Sequence, residues 1–198
     1  MDFSEKYKKK EFHWGTEPNR AVVSLLEHMN SGEVLDIGIG EGKNAFFLAT
    51  KGFNVEGIDN SNEGLDKVKK LAESNNVSIK TNCINIRDFK FRKKYNLIMS
   101  TSTLHYLPKK ESCKIIRKIK KFTKNSGLNL ITVFTKDVPD YSPEMEKKFG
   151  LDLFEKEELK NLYQDWELVK YAEKTILDKS HGDPHYHTIA LLIAKKVV

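Results

Sequence analysis

The sequence has no long apolar run and only two cysteines among its 198 residues. A membrane-spanning helix needs about 18 or more apolar residues in succession, so we expect no transmembrane segment. The N-terminus, MDFSEKYKKKEFHW, is charged where a secretory signal would carry an apolar stretch, and export is therefore not expected. Cys83 and Cys113 are too few for a disulfide framework and have no CxxC spacing, which fits a reducing cytoplasm.

The formal net charge of +6 raises the question of a nucleic-acid partner. The longest lysine-rich segment, at 108–124, also carries apolar residues at helical spacing: Ile115, Ile116, Ile119 and Phe122. This spacing makes the lysines the solvated side of an amphipathic helix. Aromatic stacking platforms between the basic runs are not evident. We therefore expect neither a nucleic-acid nor a membrane partner, and composition gives no oligomeric state.

Short apolar segments alternate with helical ones along most of the chain. Strands are predicted at 33–38, 53–59, 77–85, 95–101 and 128–135. Ser61 is a candidate N-cap for the helix after the second strand, and Gly127 is expected to end the lysine-rich helix. Such alternation is typical of an α/β doubly wound, Rossmann-like sheet that is mostly parallel, with helices on both faces.

The last third of the sequence has a different pattern. Residues 136–154 lack periodicity and predict a surface loop, and EKEELKNLYQ predicts a short helix. Two further strands, DWELVKYAEKTIL and HYHTIALLIAKKV, are joined by a connection too short for a parallel crossover. The prediction is therefore a seven-stranded sheet that ends in a C-terminal antiparallel hairpin.

We expect a single domain over residues 1–198. Residues 1–30 would form an N-terminal cap segment and helix. Residues 31–135 would form the cofactor-binding core. Residues 136–198 would supply the loop, helix and terminal hairpin on the acceptor side.

The stretch VLDIGIGEGKNA, at 34–45, carries the chemistry of the predicted core. A glycine-rich turn between a strand and a helix lets backbone N–H groups approach a ligand, although such glycines can also serve only a tight turn. Asp36 lies just before this turn, where a carboxylate would repel the pyrophosphate of a dinucleotide and attract a cation. The dinucleotide pattern GxGxxG would also need glycine at Lys43.

Asp59 ends the second predicted strand, 21 residues beyond Gly38. An acidic residue in this place accepts hydrogen bonds from ribose hydroxyls. Asp59 therefore indicates a ribose, while Asp36 argues against a pyrophosphate. S-adenosylmethionine is a ribose-bearing cation without phosphates, and it is the cofactor that we expect.

VLDIGIGEG followed by VEGIDNS resembles the glycine-rich and ribose-binding motifs of class I S-adenosylmethionine-dependent methyltransferases. The resemblance is closer still to the tellurite-resistance methyltransferase family, whose members carry a GEGRNA-like turn where this chain has GEGKNA. It extends to YNLIMSTSTLHYLP, to FEKEELKNLYQDWELVKYAE and to HTIALLIAKK, and so covers nearly the whole chain. The glycine motif belongs to the whole superfamily, whereas YQDWELVKY is more specific to the family.

The resemblance implies roles for residues on the methionine and ribose side of the cofactor. By this likeness Asp36, Gly38 and Gly40 would line that side. Asp59 would bind the ribose hydroxyls, with Asn60 beside it.

The resemblance also implies contacts to the rest of the cofactor. The family usually has an acid near the end of the third strand for the adenine amino group, and the matching residue here is Asn85, followed by Ile86. Asn85 can still accept through its carbonyl oxygen, although it could simply end its strand, and Asp88 is a nearby alternative. Thr101 would border the methyl-donor sulfur. Trp14, in WGTEP, would fold over the cofactor, with an ordinary core position as its alternative.

Histidines are concentrated at the predicted hairpin turn, in DKSHGDPHYHTIA. His185 and His187 lie two apart on a strand and therefore point to the same side. With His181 and Asp183 they are expected to face the acceptor, either binding it or removing its proton. A polar turn without function and a metal site remain alternatives, and no resident metal is expected. His105 is either a packed histidine or a neighbour of the methyl donor.

These observations favour an enzyme that transfers a methyl group from S-adenosylmethionine to a small-molecule acceptor. The resemblance implies a chalcogen oxyanion such as tellurite, and a small organic thiol, hydroxyl or amine is the alternative. STSTLHY stands where an Asn/Asp-Pro-Pro-Tyr stretch would indicate a nucleobase amine as the acceptor. The rivals outside this class are a nicotinamide-dependent oxidoreductase and a noncatalytic cofactor- or RNA-binding module.

Overall fold

The computed structural model describes residues 3–139, 141–179 and 184–198. The chain divides into two compact units, one up to Ser100 and the other from Thr101 onward. Within the residues described, no helix is both long and apolar enough to cross a membrane.

The first unit consists of parallel strands with helices between them. Its strands are β1 (Glu33–Ile37), β2 (Asn54–Asp59), β3 (Ile79–Cys83) and β4 (Tyr95–Thr101), the last of which ends at the first residue of the second unit. Its helices are α1 (Ser4–Tyr7), α2 (Arg20–Ser24), α3 (Lys43–Thr50) and α4 (Asn62–Ser74), with a 3₁₀ turn at Leu25–Glu27. Ser61 caps α4 as predicted, because its Oγ accepts from the Gly64 N–H at 3.3 Å.

β1 lies between β2 and β4 and is parallel to both. Strands covered on both faces have apolar side chains at most positions, and Val34, Leu35 and Ile37 are fully buried here. The carboxyl ends of these strands are therefore fixed to a packed core. The glycine-rich turn begins directly after β1.

The second unit is built around an antiparallel hairpin. Its helices are α5 (Lys109–Phe122), α6 (Pro143–Phe149) and α7 (Glu158–Asn161), with a 3₁₀ turn at Leu104–Tyr106. Its strands are β5 (Thr123–Thr135), β6 (Glu167–Asp178) and β7 (His185–Lys195), and β7 pairs antiparallel with both β5 and β6.

The seven strands have the order β3-β2-β1-β4-β5-β7-β6. This order confirms the predicted Rossmann-like sheet with a C-terminal antiparallel hairpin. Two local predictions were wrong.

The first error concerns the end of the lysine-rich helix, which stops at Phe122 rather than at Gly127. The carbonyl groups of Lys120 and Thr123 accept from Lys196 Nζ, each at 3.1 Å. A lysine near the chain terminus therefore satisfies the helix end, and the residues that follow enter β5.

The second error is the predicted loop at 136–154, which contains α6. Ser142 caps this helix by accepting from the Met145 N–H at 3.2 Å, and Pro143 is its first residue. Gly150 ends it with a φ of 62°. The sequence therefore holds both helix signals, and the missing apolar periodicity reflects a helix that has no buried residue.

Candidate functional site

The glycine-rich turn has left-handed backbone at three places. Gly38, Gly40 and Gly42 have φ values of 75°, 56° and 84°. At Gly42, the N-cap of α3, a Cβ atom would lie 2.7 Å from Val68 Cγ2, so a side chain would be excluded by space as well as by φ. The turn thus brings bare backbone to the start of a helix, which is the arrangement predicted from GIGEG.

Asp36 presents a buried carboxylate close to this turn. It is 2% exposed, and its Oδ1 has no hydrogen-bond partner within the described residues. Burial, and secondarily the negative charge of Asp59, raises the pKa of Asp36 to about 8. Ionising a buried carboxyl group that has an unpartnered oxygen is costly, and a cationic ligand would relieve that cost.

The carboxylate of Asp59 is hydrogen-bonded to the glycine-rich turn. Its Oδ2 accepts from the Gly40 N–H at 2.9 Å, and its Oδ1 accepts from the Ser61 N–H at 3.0 Å. The side chain is half-exposed, and a carboxylate oxygen can accept more than one hydrogen bond, hydroxyl donors included. Asn60, the next residue, is exposed, and its carbonyl oxygen accepts from Cys83 Sγ at 3.7 Å.

Asn85 lies just past the end of β3, within a turn. Its Oδ1 accepts from the Arg87 N–H at 3.0 Å, and its carbonyl oxygen accepts from the Asp88 N–H at 2.9 Å. This is an Asx-type turn, in which the side chain has a structural role of its own. Asn85 and Ile86 are half-buried, whereas Asp88 is exposed.

Glu41 is a site residue that the sequence reasoning missed. It is 3% exposed, and its two oxygens accept from the His13 and Trp14 N–H groups, each at 3.1 Å. Lys67 Nζ supplies a third hydrogen bond, at 2.6 Å, and the compensating charge. Glu41 therefore ties the N-terminal segment to the glycine-rich turn. A glutamate between two turn glycines would ordinarily be solvated, so the sequence carries no strong signal for this role.

The segment around Trp14 has further contacts with the same turn. Lys43 Nζ donates to the Trp14 carbonyl oxygen at 3.1 Å, and Asn44 Oδ1 accepts from the Asn19 N–H at 2.9 Å. Trp14 Nε1 donates to Tyr7 Oη at 3.3 Å. The Trp14 side chain is exposed rather than part of the core, so the alternative of an ordinary core tryptophan is wrong.

In the second unit, Thr101 is half-buried at the end of β4. His105 follows on the 3₁₀ turn and is fully buried. Its Nδ1 accepts from the Phe134 N–H at 3.1 Å, and its ring stacks on the Phe134 ring with centroids 4.1 Å apart. Burial, with a smaller contribution from His187, lowers the pKa of His105 to about 3. His105 is therefore a neutral imidazole.

His185 and His187 contact each other at the start of β7. Their Nε2 atoms lie 2.9 Å apart, and Asp178 Oδ2 lies 3.8 Å from His187 Nε2. Asp178 is paired with His185 across the hairpin, and the sequence reasoning missed it because that requires the strand register. His181 and Asp183 lie outside the described residues.

The His187 ring also stacks on Phe134, with centroids 4.3 Å apart. Phe134 pairs with Ile189, and His187 is the diagonal neighbour on the same face of the sheet. Together His105, Phe134, His185 and His187 form what we term the histidine cluster. Apart from Thr101, the described residues predicted to bind the cofactor lie in the first unit, and the cluster lies in the second.

Three ligand atoms, from Asp178, His185 and His187, lie within 4.8 Å of one another. Two nitrogen ligands of one tetrahedral zinc would be about 3.3 Å apart, given zinc–nitrogen bonds of about 2.0–2.1 Å. The 2.9 Å between the two Nε2 atoms is instead a hydrogen-bond distance. One imidazole therefore donates and the other accepts.

Comparisons with known proteins identify a family and several relatives. The family model described as Tellurite resistance protein TehB matches residues 2–189. Hemagglutinin 1 from Eikenella corrodens is 28% identical over 187 residues, which are 93% of this chain and 61% of that protein. The probable S-adenosyl-L-methionine-dependent methyltransferase TehB from Haemophilus influenzae is 30% identical over 173 residues, which are 86% of this chain and 56% of that protein.

Among solved structures, TehB from Haemophilus influenzae matches with a TM-score of 0.80 and 26% identity. The match covers 98% of this chain and 65% of that one. The chain thus spans about three fifths of the length of the curated relatives, 61% and 56%.

Proposed function

Because this chain belongs to the family described as Tellurite resistance protein TehB, we propose that it transfers a methyl group from S-adenosylmethionine to a small acceptor molecule. The observation that carries the proposal is the buried Asp36 carboxylate, whose Oδ1 has no partner in the described part of the chain and which lies beside a bare glycine turn. The name of the Haemophilus influenzae relative supports the same reaction.

The residues present fit this cofactor. The carboxylate of Asp36 suits a cationic group, and the carboxylate of Asp59 suits ribose hydroxyls as donors. Gly38 and Gly40 would offer their backbone to the methionine and ribose side, with Asn60 beside Asp59. We further propose that Asn85 and Ile86 border the adenine, Thr101 the sulfur, and Trp14 the outer side of the cofactor.

When bound, S-adenosylmethionine supplies an electrophilic methyl group. This chain would contribute by holding the cofactor and the acceptor in line and by keeping water away, which accounts for most of what such a transfer demands. No covalent intermediate with the protein is needed. A base is needed only if the acceptor is protonated.

We propose His185 and His187, together with His181, as the groups that meet the acceptor. In the pair one Nε2–H group donates to the other Nε2, so one proton lies between the two rings. The pair can take up a second proton. Asp178 lies close enough to compensate the positive charge that this second proton would create on His187.

The acceptor is proposed to be small: a chalcogen oxyanion such as tellurite or, as the second candidate, an organic thiol, hydroxyl or amine. A nicotinamide-dependent oxidoreductase is disfavoured because Asp36 would face a pyrophosphate and because Lys43 stands where the dinucleotide pattern needs glycine. An RNA-binding module is motivated only by the charge of +6.

Calorimetry with S-adenosylmethionine, NAD and a short RNA tests the proposal. Asp59→Ala should abolish binding of S-adenosylmethionine, whereas Asp66→Asn, on the exposed side of α4, should leave it unchanged. Methyl-transfer assays against tellurite and against organic thiols, hydroxyls and amines then separate the two acceptor classes. Tight binding of NAD with no binding of S-adenosylmethionine would overturn the proposal.

A further inference from the structure

His105 has a buried nitrogen whose hydrogen-bonding capacity is unused. The residue is 0% exposed, and its Nε2 finds no partner within the described ranges 3–139, 141–179 and 184–198. A buried donor that is left unsatisfied is destabilising. Buried polar atoms in native proteins nearly always have partners, so this atom demands an explanation.

The hydrogen bond at the other ring nitrogen fixes which form of His105 is present. Nδ1 accepts from the Phe134 N–H, so a neutral ring must carry its hydrogen on Nε2. A charged ring would place a second N–H against that of Phe134. Nε2 is therefore a hydrogen-bond donor, and it has no lone pair with which to act as a base.

The orientation of the ring is also fixed. The His105 ring stacks on the Phe134 ring, and the centroids of the His105 and Tyr106 rings lie 4.6 Å apart. The His105 carbonyl oxygen accepts from the Asp152 N–H at 2.8 Å, which anchors the backbone. The direction of the N–H group is therefore set before a ligand arrives, and preorganised donors are the ones that contribute most to binding and catalysis.

The donor belongs to the histidine cluster. The Phe134 ring stacks on both His105 and His187, and His187 contacts His185. The cluster thus combines a fixed N–H donor with a hydrogen-bonded imidazole pair that can take up a proton.

We propose that the Nε2–H of His105 donates a hydrogen bond to the methyl acceptor and makes the site selective for acceptors that present an oxygen lone pair. This inference rests on the proposed methyltransferase function and deepens it. A protonated amine has no lone pair to offer, whereas an oxyanion or hydroxyl oxygen does. The two parts of the cluster would then have separate tasks: His105 orients the acceptor, and the His185–His187 pair receives its proton.

The first test reads the donor directly by nuclear magnetic resonance of the full chain, with ¹⁵N-labelled histidine. The protein is loaded with S-adenosylhomocysteine, which has no methyl group to transfer, and then titrated with tellurite. The Nε2–H resonance of His105 should shift downfield, while His28, which is exposed, should not respond. No response at His105 would overturn the proposal, and because no turnover is needed this holds even if methyl transfer is never observed.

The second test uses variants. His105→Phe keeps an aromatic ring but lacks the donor, and it should lower kcat/KM for an oxygen-bearing acceptor about tenfold to a hundredfold, the size of one hydrogen bond to a charged group. His105→Gln keeps an N–H and should recover part of that loss. His28→Gln is the matched control. Affinity for S-adenosylmethionine and the shape of the pH profile should be unchanged in both His105 variants.

The outcomes separate the two proposals. A folded His105→Phe protein with an unchanged kcat/KM would refute the role of His105 and leave the methyltransferase function intact. A wild-type protein that neither binds S-adenosylmethionine nor transfers a methyl group would refute the function itself. Because His105→Phe also removes the acceptor of the Phe134 N–H and can destabilise the fold, its thermal unfolding is measured in parallel, and the resonance titration decides if it does not fold.

Discussion

Binding of S-adenosylmethionine should release a proton from Asp36. The pKa of this carboxyl in the free protein is raised to about 8, first by burial and second by Asp59. At pH 7 about nine in ten molecules therefore carry a protonated Asp36, whereas a bound cation requires the ionised form. The expected release is about 0.9 proton per ligand at pH 7, about 0.5 at pH 8 and about 0.1 at pH 9.

Calorimetry in two buffers with different ionisation enthalpies measures this number. The ligand has an α-amino group that titrates in the same range, at about 7.7–8.0 in model compounds. The informative quantity is therefore the difference in proton release between the wild type and Asp36→Asn. This substitution removes the proton that Asp36 releases and leaves the one that the ligand releases. Below pH 8 the part of the dissociation constant due to Asp36 should rise about tenfold for each unit by which the pH is lowered, or about 1.4 kcal/mol.

Equal proton release by the wild type and by Asp36→Asn would refute this reasoning. Such a result would mean that Asp36 is already ionised before the ligand arrives or that it does not meet the cation. Asp66→Asn, on an exposed face of α4, should release the same number of protons as the wild type at every pH. It is the control for a general effect of removing a negative charge.

Three other results are expected. Without cofactor, Asp36→Asn should be more stable than the wild type at pH 8.5 by an amount on the order of a few kcal/mol in urea unfolding. The folded wild type retains a proton that the unfolded chain has released, so its stability falls as the pH rises from about 4 to about 8; equal stabilities at pH 8.5 would contradict the raised pKa. Glu41→Gln should speed hydrogen exchange at the His13 and Trp14 amides about tenfold or more, since the charged acceptor and the ion pair with Lys67 are lost. His187→Ala should lower methyl transfer and leave affinity for S-adenosylmethionine intact, and unchanged turnover would exclude the pair as the acceptor's base.

The alternation of apolar and helical segments was enough to predict the sheet, because buried parallel strands must be apolar at almost every position. Local signals also placed the cap of α4 at Ser61. The end of α5 could not be predicted in this way. It depends on Lys196, which is 76 residues from Lys120 in sequence, and no local pattern carries such a contact.

The candidate site was predictable where a motif fixes the backbone and unpredictable where partners come from distant residues. Gly38, Gly40 and Gly42 occupy the turn that GIGEG indicates, and Asp36 lies just before it in β1. Glu41 was missed because its three partners lie in other segments. Asp178 meets the histidines only through the register of β6 and β7, which the sequence alone does not give.

The tie between Glu41 and the N-terminal segment joins a carboxylate to two backbone N–H groups. Every amino acid except proline has such a group, so the tie does not depend on which side chains occupy positions 13 and 14. Those two positions can therefore vary in charge, size and aromatic character while the segment stays attached to the glycine-rich turn. Proline is the one substitution at either position that would remove a donor to Glu41.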